Sequence, residues 1–238
     1  MFKFFEKPKL KVVIITLSCF IFLTSALIAI ACINATKNGT EQPPTATESE
    51  ELHINTDSVP VAKEPSIYDY LELQRNANGY TLTAVRGYTE SVLLLPATAP
   101  DGEQINAIGD NAFSECTSLV EITLPATVKR IGNGCFAGAS SLMIISVEPA
   151  NASFSSVGGV LFSRDKTELI CYPAAKVGER YLLSTSVKKI APYAFDGVKE
   201  LRAILYEGSA AKYQSIDIGI GNQIFSSLPV TCNYKAAK

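Results

Sequence analysis

The sequence predicts a β-rich α/β solenoid, in which short repeats stack on one another. When the chain is shifted by 23 residues, the apolar positions of the segment 107–131 return in the next segment. The matched pairs are Ile108 with Ile131, Phe113 with Phe136, Leu119 with Leu142, Ile122 with Ile145, and Leu124 with Val147. A period of ~20–29 residues with spaced leucine and isoleucine indicates a solenoid with one short strand per coil.

A third copy follows after a longer interval. A shift of 59 residues aligns Ile131 with Ile190, Phe136 with Phe195, Leu142 with Leu201, Ile145 with Ile204, and Val147 with Tyr206. Because 59 is 23 plus 36, we interpret the third coil as the same unit displaced by a 36-residue insertion. One coil cannot bury its own inner face, so stacking must supply the stability.

Each part of the repeat has a predicted role. Ile122 and Leu124 alternate onto the inner face of a short strand, and Pro125 ends that strand because proline has no backbone N–H. The polar run before Phe113 predicts a tight turn or a single helical turn. Since Ala191 stands where the other copies have Gly109 and Gly132, we expect those glycines to serve close packing rather than a positive φ.

These motifs resemble the BspA-like leucine-rich repeats of bacterial and some protist surface proteins. The resemblance covers about residues 78–234 and rests on IGDNAFSECTSLVEITLPATVKRIGNGCF and VKKIAPYAFDGVKELRAILYEG. The chain departs from the family pattern at Cys135, Ala139 and Val198. The resemblance implies a right-handed solenoid with terminal caps, and a non-enzymatic adhesion role at a cell surface.

The amino terminus predicts a membrane anchor. Residues 1–11 carry four lysines against one glutamate, and residues 12–33 contain no charged residue. Twenty-two helical residues span ~30 Å, the thickness of a bilayer core, and the flanking lysines predict a cytoplasmic amino terminus. An alternative is lipid modification of Cys32, because Ala29–Cys32 resembles a weak bacterial lipoprotein processing site.

The remaining chain divides into a stalk and an ordered domain. Residues 34–66, with six acidic residues against two lysines, predict a disordered extended stalk. Residues 67–238 predict an extracellular repeat domain that opens with a hairpin. It contains a hairpin insertion at about 148–180, which turns at residues 163–167, and a closing cap at about 207–234, whose last strand is residues 230–234. Asn34, Asn38 and Asn151 begin N-glycosylation sequons, which are chance matches in a bacterium and plausible sites in a eukaryotic host.

Few residues in the predicted domain point to chemistry. The single histidine, His53, lies in the stalk, which excludes His-based catalysis and His-rich zinc sites from the repeats. Cys116, Cys135, Cys171 and Cys232 lack the paired spacing of a metal site, and buried free thiols are favoured over disulfides. We therefore expect no cofactor and no enzymatic activity. Residues 67–238 carry a net charge of −1 and no basic stripe, which predicts no nucleic-acid partner.

The predicted binding surface is the outward side of the repeat strands. Residues that alternate with the buried ones should form two rows, and the eight predicted positions are Val92, Leu94, Glu121, Thr123, Ile144, Ser146, Ala203 and Leu205. Five of them are apolar, which favours a site for an extracellular protein, matrix or host component. Two alternatives remain: the insertion or opening segment covers the rows, or the protein organises the envelope without a dedicated ligand.

Overall fold

The computed structural model of the protein describes residues 64–235. They form a β-solenoid of about 7 turns with few helices, which confirms the predicted solenoid but not a substantial α component. The helical segments described are a 3-10 helix at Ile67–Asp69, α1 (Ala210–Gln214) and α2 (Gln223–Ser227). None of the helices within 64–235 is long and apolar enough to cross a membrane. The predicted tail, membrane span and most of the stalk lie outside the described residues.

A β-hairpin opens the described chain, as the sequence predicts. Strands β1 (Leu71–Asn76) and β2 (Gly79–Val85) pair antiparallel. Gly79 begins β2 with a φ of 130°, and a Cβ there would lie 2.2 Å from the Gln104 carbonyl oxygen, so only glycine fits. Strands β4 (Ile105–Ile108) and β6 (Arg130–Ile131) extend this sheet in parallel, in the order β1-β2-β4-β6.

The repeat strands form a second, parallel sheet. It consists of β3 (Val92–Leu94), β5 (Glu121–Leu124) and β7 (Ile144–Val147), in that order. Ile122 lies opposite Leu93 on one side and Ile145 on the other. All three side chains are buried, and the pairing of Ile122 with Ile145 is the register that the 23-residue alignment predicts.

The insertion contains an antiparallel meander of three strands. These are β8 (Phe154–Val157), β9 (Val160–Ser163) and β10 (Glu168–Cys171). β9 pairs antiparallel with both neighbours, and the β9–β10 turn is the one predicted at residues 163–167. Beyond it, β12 (Lys189–Ile190) and β14 (Asp217–Ile218) continue the sheet in parallel.

The insertion also leads into a coil that sequence analysis did not recognise. Strand β11 (Arg180–Leu183) pairs in parallel with β13 (Ala203–Tyr206), with Tyr181 opposite Ile204 and Leu183 opposite Tyr206. Both pairs are 23 residues apart, the spacing of the repeat. The segment around 148–180 is thus a hairpin followed by the start of another coil, rather than an insertion alone.

The carboxyl-terminal unit adds one more coil. Strand β15 (Val230–Thr231) pairs in parallel with β13, so this sheet has the order β11-β13-β15. The sequence predicted a closing strand over residues 230–234, but the strand ends at Thr231. Asn233 has a φ of 55°, a left-handed conformation that cannot continue a strand.

Aromatic side chains stack along the interior. The Phe113 and Phe136 ring centroids are 4.9 Å apart, and a second stack places Phe195 5.1 Å from Tyr172 and 4.7 Å from Phe225. Stacked coils thus bury the largest apolar groups against one another.

The packing interpretation of the repeat glycines is also supported. Gly109 and Gly132 do not belong to the positive-φ residues of the structure. A Cβ on Gly132 would lie 2.6 Å from the Gly109 carbonyl carbon, so adjacent coils approach too closely here for a side chain.

Candidate functional site: the outward strand face

Six of the eight predicted binding residues lie together in two rows on the sheet β3-β5-β7. We call this surface the strand face. One row is Val92, Glu121 and Ile144, and the other is Leu94, Thr123 and Ser146. Parallel pairing in register places each residue directly beside its counterpart in the next coil, because successive residues of a strand point to opposite sides.

No segment within residues 64–235 covers the strand face. Leu94 keeps 70% of its surface exposed, Val92 49% and Ile144 41%, and none of the other five predicted residues is buried. The hypothesis that the insertion or opening segment folds over these rows is therefore wrong. Fully burying a side chain of this size stabilises a fold by ~1.5–3 kcal/mol. Because Val92, Leu94 and Ile144 stay partly in solvent, they do not contribute this full amount to the stability of the fold.

Ala203 and Leu205 do not join the same sheet. They lie on β13, where Ala203 is beside Arg180 and Leu205 beside Leu182 in the sheet β11-β13-β15. The predicted rows are therefore divided between two sheets. Leu182, 42% exposed, belongs to the second sheet but was not predicted, because the coil that carries it was not recognised.

The β8–β9 turn causes this division. The Ile145 N–H donates to the Gly159 carbonyl at 3.0 Å, and the Ser156 hydroxyl donates to the Ile145 carbonyl at 2.5 Å. These bonds occupy the edge of β7 that the strand of the next coil would otherwise use. Val157 at this turn is 49% exposed.

The opening segment holds the other end of the strand face. The Tyr88 hydroxyl donates to the Val92 carbonyl at 2.6 Å, and the Tyr88 ring packs edge-on against Tyr70 at 5.3 Å. Strand β3 is therefore fixed from its free side, while its Val92 and Leu94 side chains stay outside.

The structure also shows where the predicted metal-ligand types and one of the glycosylation sequons lie. Within residues 64–235 no cluster of three or more His, Cys, Asp or Glu side chains could hold a metal. Asn151 is 1% exposed, and its amide donates to the Pro125 and Val128 carbonyls, so its sequon is inaccessible in the folded protein. Cys32, Asn34 and Asn38 lie outside the described residues.

Cys116, Cys135, Cys171 and Cys232 are free thiols in the structure, as predicted. Burial raises the pKa of the Cys116 thiol to about 11 and that of Cys171 to about 12. Burial also raises the pKa of Cys135 well above its ordinary value, and the nearby Cys171 adds to the effect. Three of the four thiols are thus held in their unreactive, protonated form.

This arrangement predicts a pH dependence of alkylation. With a pKa of about 11, the folded Cys116 is ionised to roughly one part in a thousand at pH 8. Its alkylation rate should rise about tenfold per pH unit up to that pKa, whereas the unfolded thiol titrates near its ordinary value. Peptide mass spectrometry after iodoacetamide treatment measures both rates. Fast native labelling at pH 8, or a disulfide-linked peptide before reduction, would contradict this.

Stacked coils with a 23-residue period and an outward strand face define a leucine-rich repeat solenoid. Residues 97–179 match the family described as BspA type leucine rich repeat region, in six copies. This match confirms the resemblance found in the sequence for residues 97–179.

Solved structures with similarity to this chain include three bacterial proteins. The pneumococcal vaccine antigen PcpA shares 26% identity, with a TM-score of 0.50, over 65% of this chain and 42% of its own. A leucine-rich repeat protein from Eubacterium ventriosum shares 21% over 50% of this chain and 48% of its own, with a TM-score of 0.38. A leucine rich cell surface protein from Faecalibacterium prausnitzii shares 15% over 66% and 73%, with a TM-score of 0.35.

The chain thus spans less than half the length of the first two proteins. None of the curated proteins compared with this chain matches it.

Proposed function

We propose that this protein is a non-enzymatic cell-surface binding protein that captures an extracellular protein through the strand face. The single observation that supports this most strongly is the exposure of Val92, Leu94 and Ile144 on one ordered sheet. Large apolar side chains that are exposed together on one sheet mark interaction sites, whereas apolar residues scattered singly over a surface do not.

The composition of the strand face favours a protein partner. Glu121 and Thr123 lie at the centre, between Val92 and Leu94 on one side and Ile144 and Ser146 on the other. Apolar side chains beside hydrogen-bonding groups are typical of protein interfaces, where apolar contacts contribute affinity and polar groups set the register. The bonds that fix β3 and β7 reduce the entropy lost on binding.

The proposal places the repeat domain outside the cell, with residues 12–33 as a single-pass anchor or Cys32 as a lipid anchor. It takes the solenoid as right-handed and its end segments as caps, as the sequence predicts. The alternative function, organising the envelope without a dedicated ligand, requires no exposed apolar surface, and the exposure of Leu94 argues against it.

Two substitutions on the strand face test the proposal. Leu94→Glu and Ile144→Lys should abolish capture of the partner by the full-length chain from host or matrix extracts. Because both side chains already face solvent, the free energy of unfolding should change by less than about 0.5 kcal/mol. Pull-down and urea denaturation measure the two effects.

Ile220→Glu is the matched control, since Ile220 is 71% exposed and lies outside the strand face. This variant should capture the partner normally. The proposal is wrong if Leu94→Glu and Ile144→Lys still capture it, or if Ile220→Glu loses capture equally.

A further inference from the structure

The coil that contains β10 is shorter than the others at one corner. Leu169 of β10 pairs with Ile190 of β12, 21 residues later, whereas Tyr172 stacks on Phe195, 23 residues later. Two residues are therefore missing between Leu169 and Tyr172 relative to the next coil. The missing positions correspond to the loop that carries Pro192 and Tyr193 in that coil.

A cavity of about 120 Å³ lies at this shortened corner. Gly134, Cys135 and Phe136 line it from the preceding coil, Cys171 and Tyr172 from the short coil, and Tyr193 from the following coil. The two aromatic stacks also stop here, because Phe136 stacks on Phe113 and Tyr172 stacks on Phe195. The cavity thus separates two parts of the solenoid that are each regularly stacked.

Backbone amides in the other coils donate across this corner to the next coil. The Phe113 N–H donates to the Cys135 carbonyl at 2.8 Å, and the Tyr172 N–H donates to the Ala194 carbonyl at 2.8 Å. Two residues before the aromatic position, the Asn111 N–H donates to the Asn133 carbonyl at 3.3 Å.

Gly134 and Phe136 occupy the same two positions in the coil that precedes the cavity. Neither backbone N–H donates to an oxygen atom within residues 64–235. The carbonyl that would accept from Gly134 belongs to the two missing residues. The Cys171 carbonyl, which corresponds to the acceptor of the Phe113 N–H, is present but does not accept from Phe136, whose N–H lies near the Cys135 sulfur, a weak acceptor. Phe136 is buried and Gly134 is partly exposed, and both N–H groups remain available to an acceptor on any group that enters.

Tyr193 lies beside this corner in a strained conformation. Its φ is 59°, whereas the equivalent positions hold Asn111 and Gly134, which adopt left-handed backbone more easily. A Cβ on Gly134 would lie 3.3 Å from the Tyr193 Cβ, and one on Gly221 would lie 2.2 Å from the Tyr193 ring. Two glycines therefore make room for an exposed tyrosine that carries strain, a combination that is concentrated at ligand sites.

The chemistry of the lining selects the ligand. Two N–H groups require an acceptor, and the Phe136 and Tyr172 rings offer apolar walls. Asp196 and Glu168 also border the cavity and oppose an anion, while the Cys135 and Cys171 thiols are uncharged near neutral pH. An engineered cavity of ~150 Å³ holds a benzene molecule, so this one fits roughly five non-hydrogen atoms.

The geometry points to a binding site for a small neutral molecule with an amide-type carbonyl, whose oxygen accepts from the Gly134 and Phe136 amides. Such a ligand takes the place of the peptide group that the shortened coil lacks. This site is separate from the strand face, and its occupancy does not depend on the proposed function.

N-methylacetamide, a neutral peptide-group mimic with five non-hydrogen atoms, is a suitable probe. The full-length chain, labelled with ¹⁵N at glycine and phenylalanine and solubilised in detergent, would be titrated with it and observed by NMR. We expect saturable downfield shifts of the Gly134 and Phe136 amide protons that exceed those of the other labelled amides. Half-saturation should fall at millimolar concentration, since so small a ligand binds weakly. Acetate should shift them less.

Two substitutions at one lining position provide the control. Cys171→Leu adds volume in the cavity and should abolish the shifts, whereas Cys171→Ala enlarges it and should retain them. The inference is overturned if N-methylacetamide moves neither amide of the unmodified chain, or if Cys171→Leu responds as Cys171→Ala does. Should either variant fail to fold, the titration of the unmodified chain decides alone.

Discussion

Replacing Phe195 with alanine is expected to lower the free energy of unfolding by roughly 3–5 kcal/mol. Phe195 is fully buried and lies between two other rings, with Tyr172 at 5.1 Å and Phe225 at 4.7 Å. Its removal would leave a cavity and two unstacked aromatic neighbours. Because a domain is stable by only ~5–15 kcal/mol, this loss would shift urea denaturation of the full-length chain strongly.

Phe136→Ala is the matched comparison. Phe136 holds the same repeat position, but it stacks only on Phe113, and the cavity lies on its other side. We expect its substitution to cost less than that of Phe195, because fewer contacts are lost. An equal or larger cost for Phe136→Ala would contradict the described break between the two aromatic stacks.

Asn151→Ala should be the second strongly destabilising change, by roughly 2–4 kcal/mol. The Asn151 amide donates to the Pro125 carbonyl at 2.9 Å and to the Val128 carbonyl at 3.0 Å. Its oxygen accepts from the backbone N–H groups of Ser153 and Phe154, both at 2.8 Å. Alanine would leave these groups without their partner at a site that is 1% exposed, and water cannot readily replace it.

Asn133→Ala is the control for this effect, because Asn133 is an exposed asparagine whose side chain makes no hydrogen bond within the described residues. Its substitution should change the free energy of unfolding by less than about 0.5 kcal/mol. If Asn151→Ala proved as mild as Asn133→Ala, the four bonds would not contribute as described. Thermal and urea denaturation both measure the difference.

The repeat period accounts for the part of the fold that the sequence predicted. The 23-residue interval places Ile122 and Ile145 in one register, and the structure pairs them in that register. Ala191, which stands where the other copies have Gly109 and Gly132, similarly predicted close packing, since alanine rarely adopts a positive φ. Both predictions, the strand register and the close packing at the glycines, rest only on the spacing of residues along the chain.

The coil with β10 and β11 was not predicted, because a two-residue shortening removes the common spacing. Leu169 is offset from Ile190 by 21 residues, while Tyr172, Tyr181 and Leu183 keep the offset of 23. Aligning backward from Phe195 by 23 residues would have revealed Tyr172 and the strand that follows it. The match between this coil and the others was also harder to recognise because Tyr172 stands where the other copies have phenylalanine.

The candidate site was predicted only within one sheet. Alternation along each strand correctly placed Val92, Leu94 and Ile144 outward. The separation of Ala203 and Leu205 depends on the Gly159 carbonyl bonding to Ile145, a contact between segments that no local pattern encodes. Whether these rows bind a partner stays a prediction.

Site-specific photo-crosslinking tests the central claim most directly. A photoreactive phenylalanine analogue would replace Leu94 in one full-length chain and Ile220 in another, both displayed on cells and irradiated with host or matrix proteins present. We predict a discrete crosslinked protein at position 94 and none at position 220, since Leu94 lies on the strand face and Ile220 does not. Absence of a crosslink at position 94, or the same product at both positions, would contradict the assignment of the strand face as the binding surface.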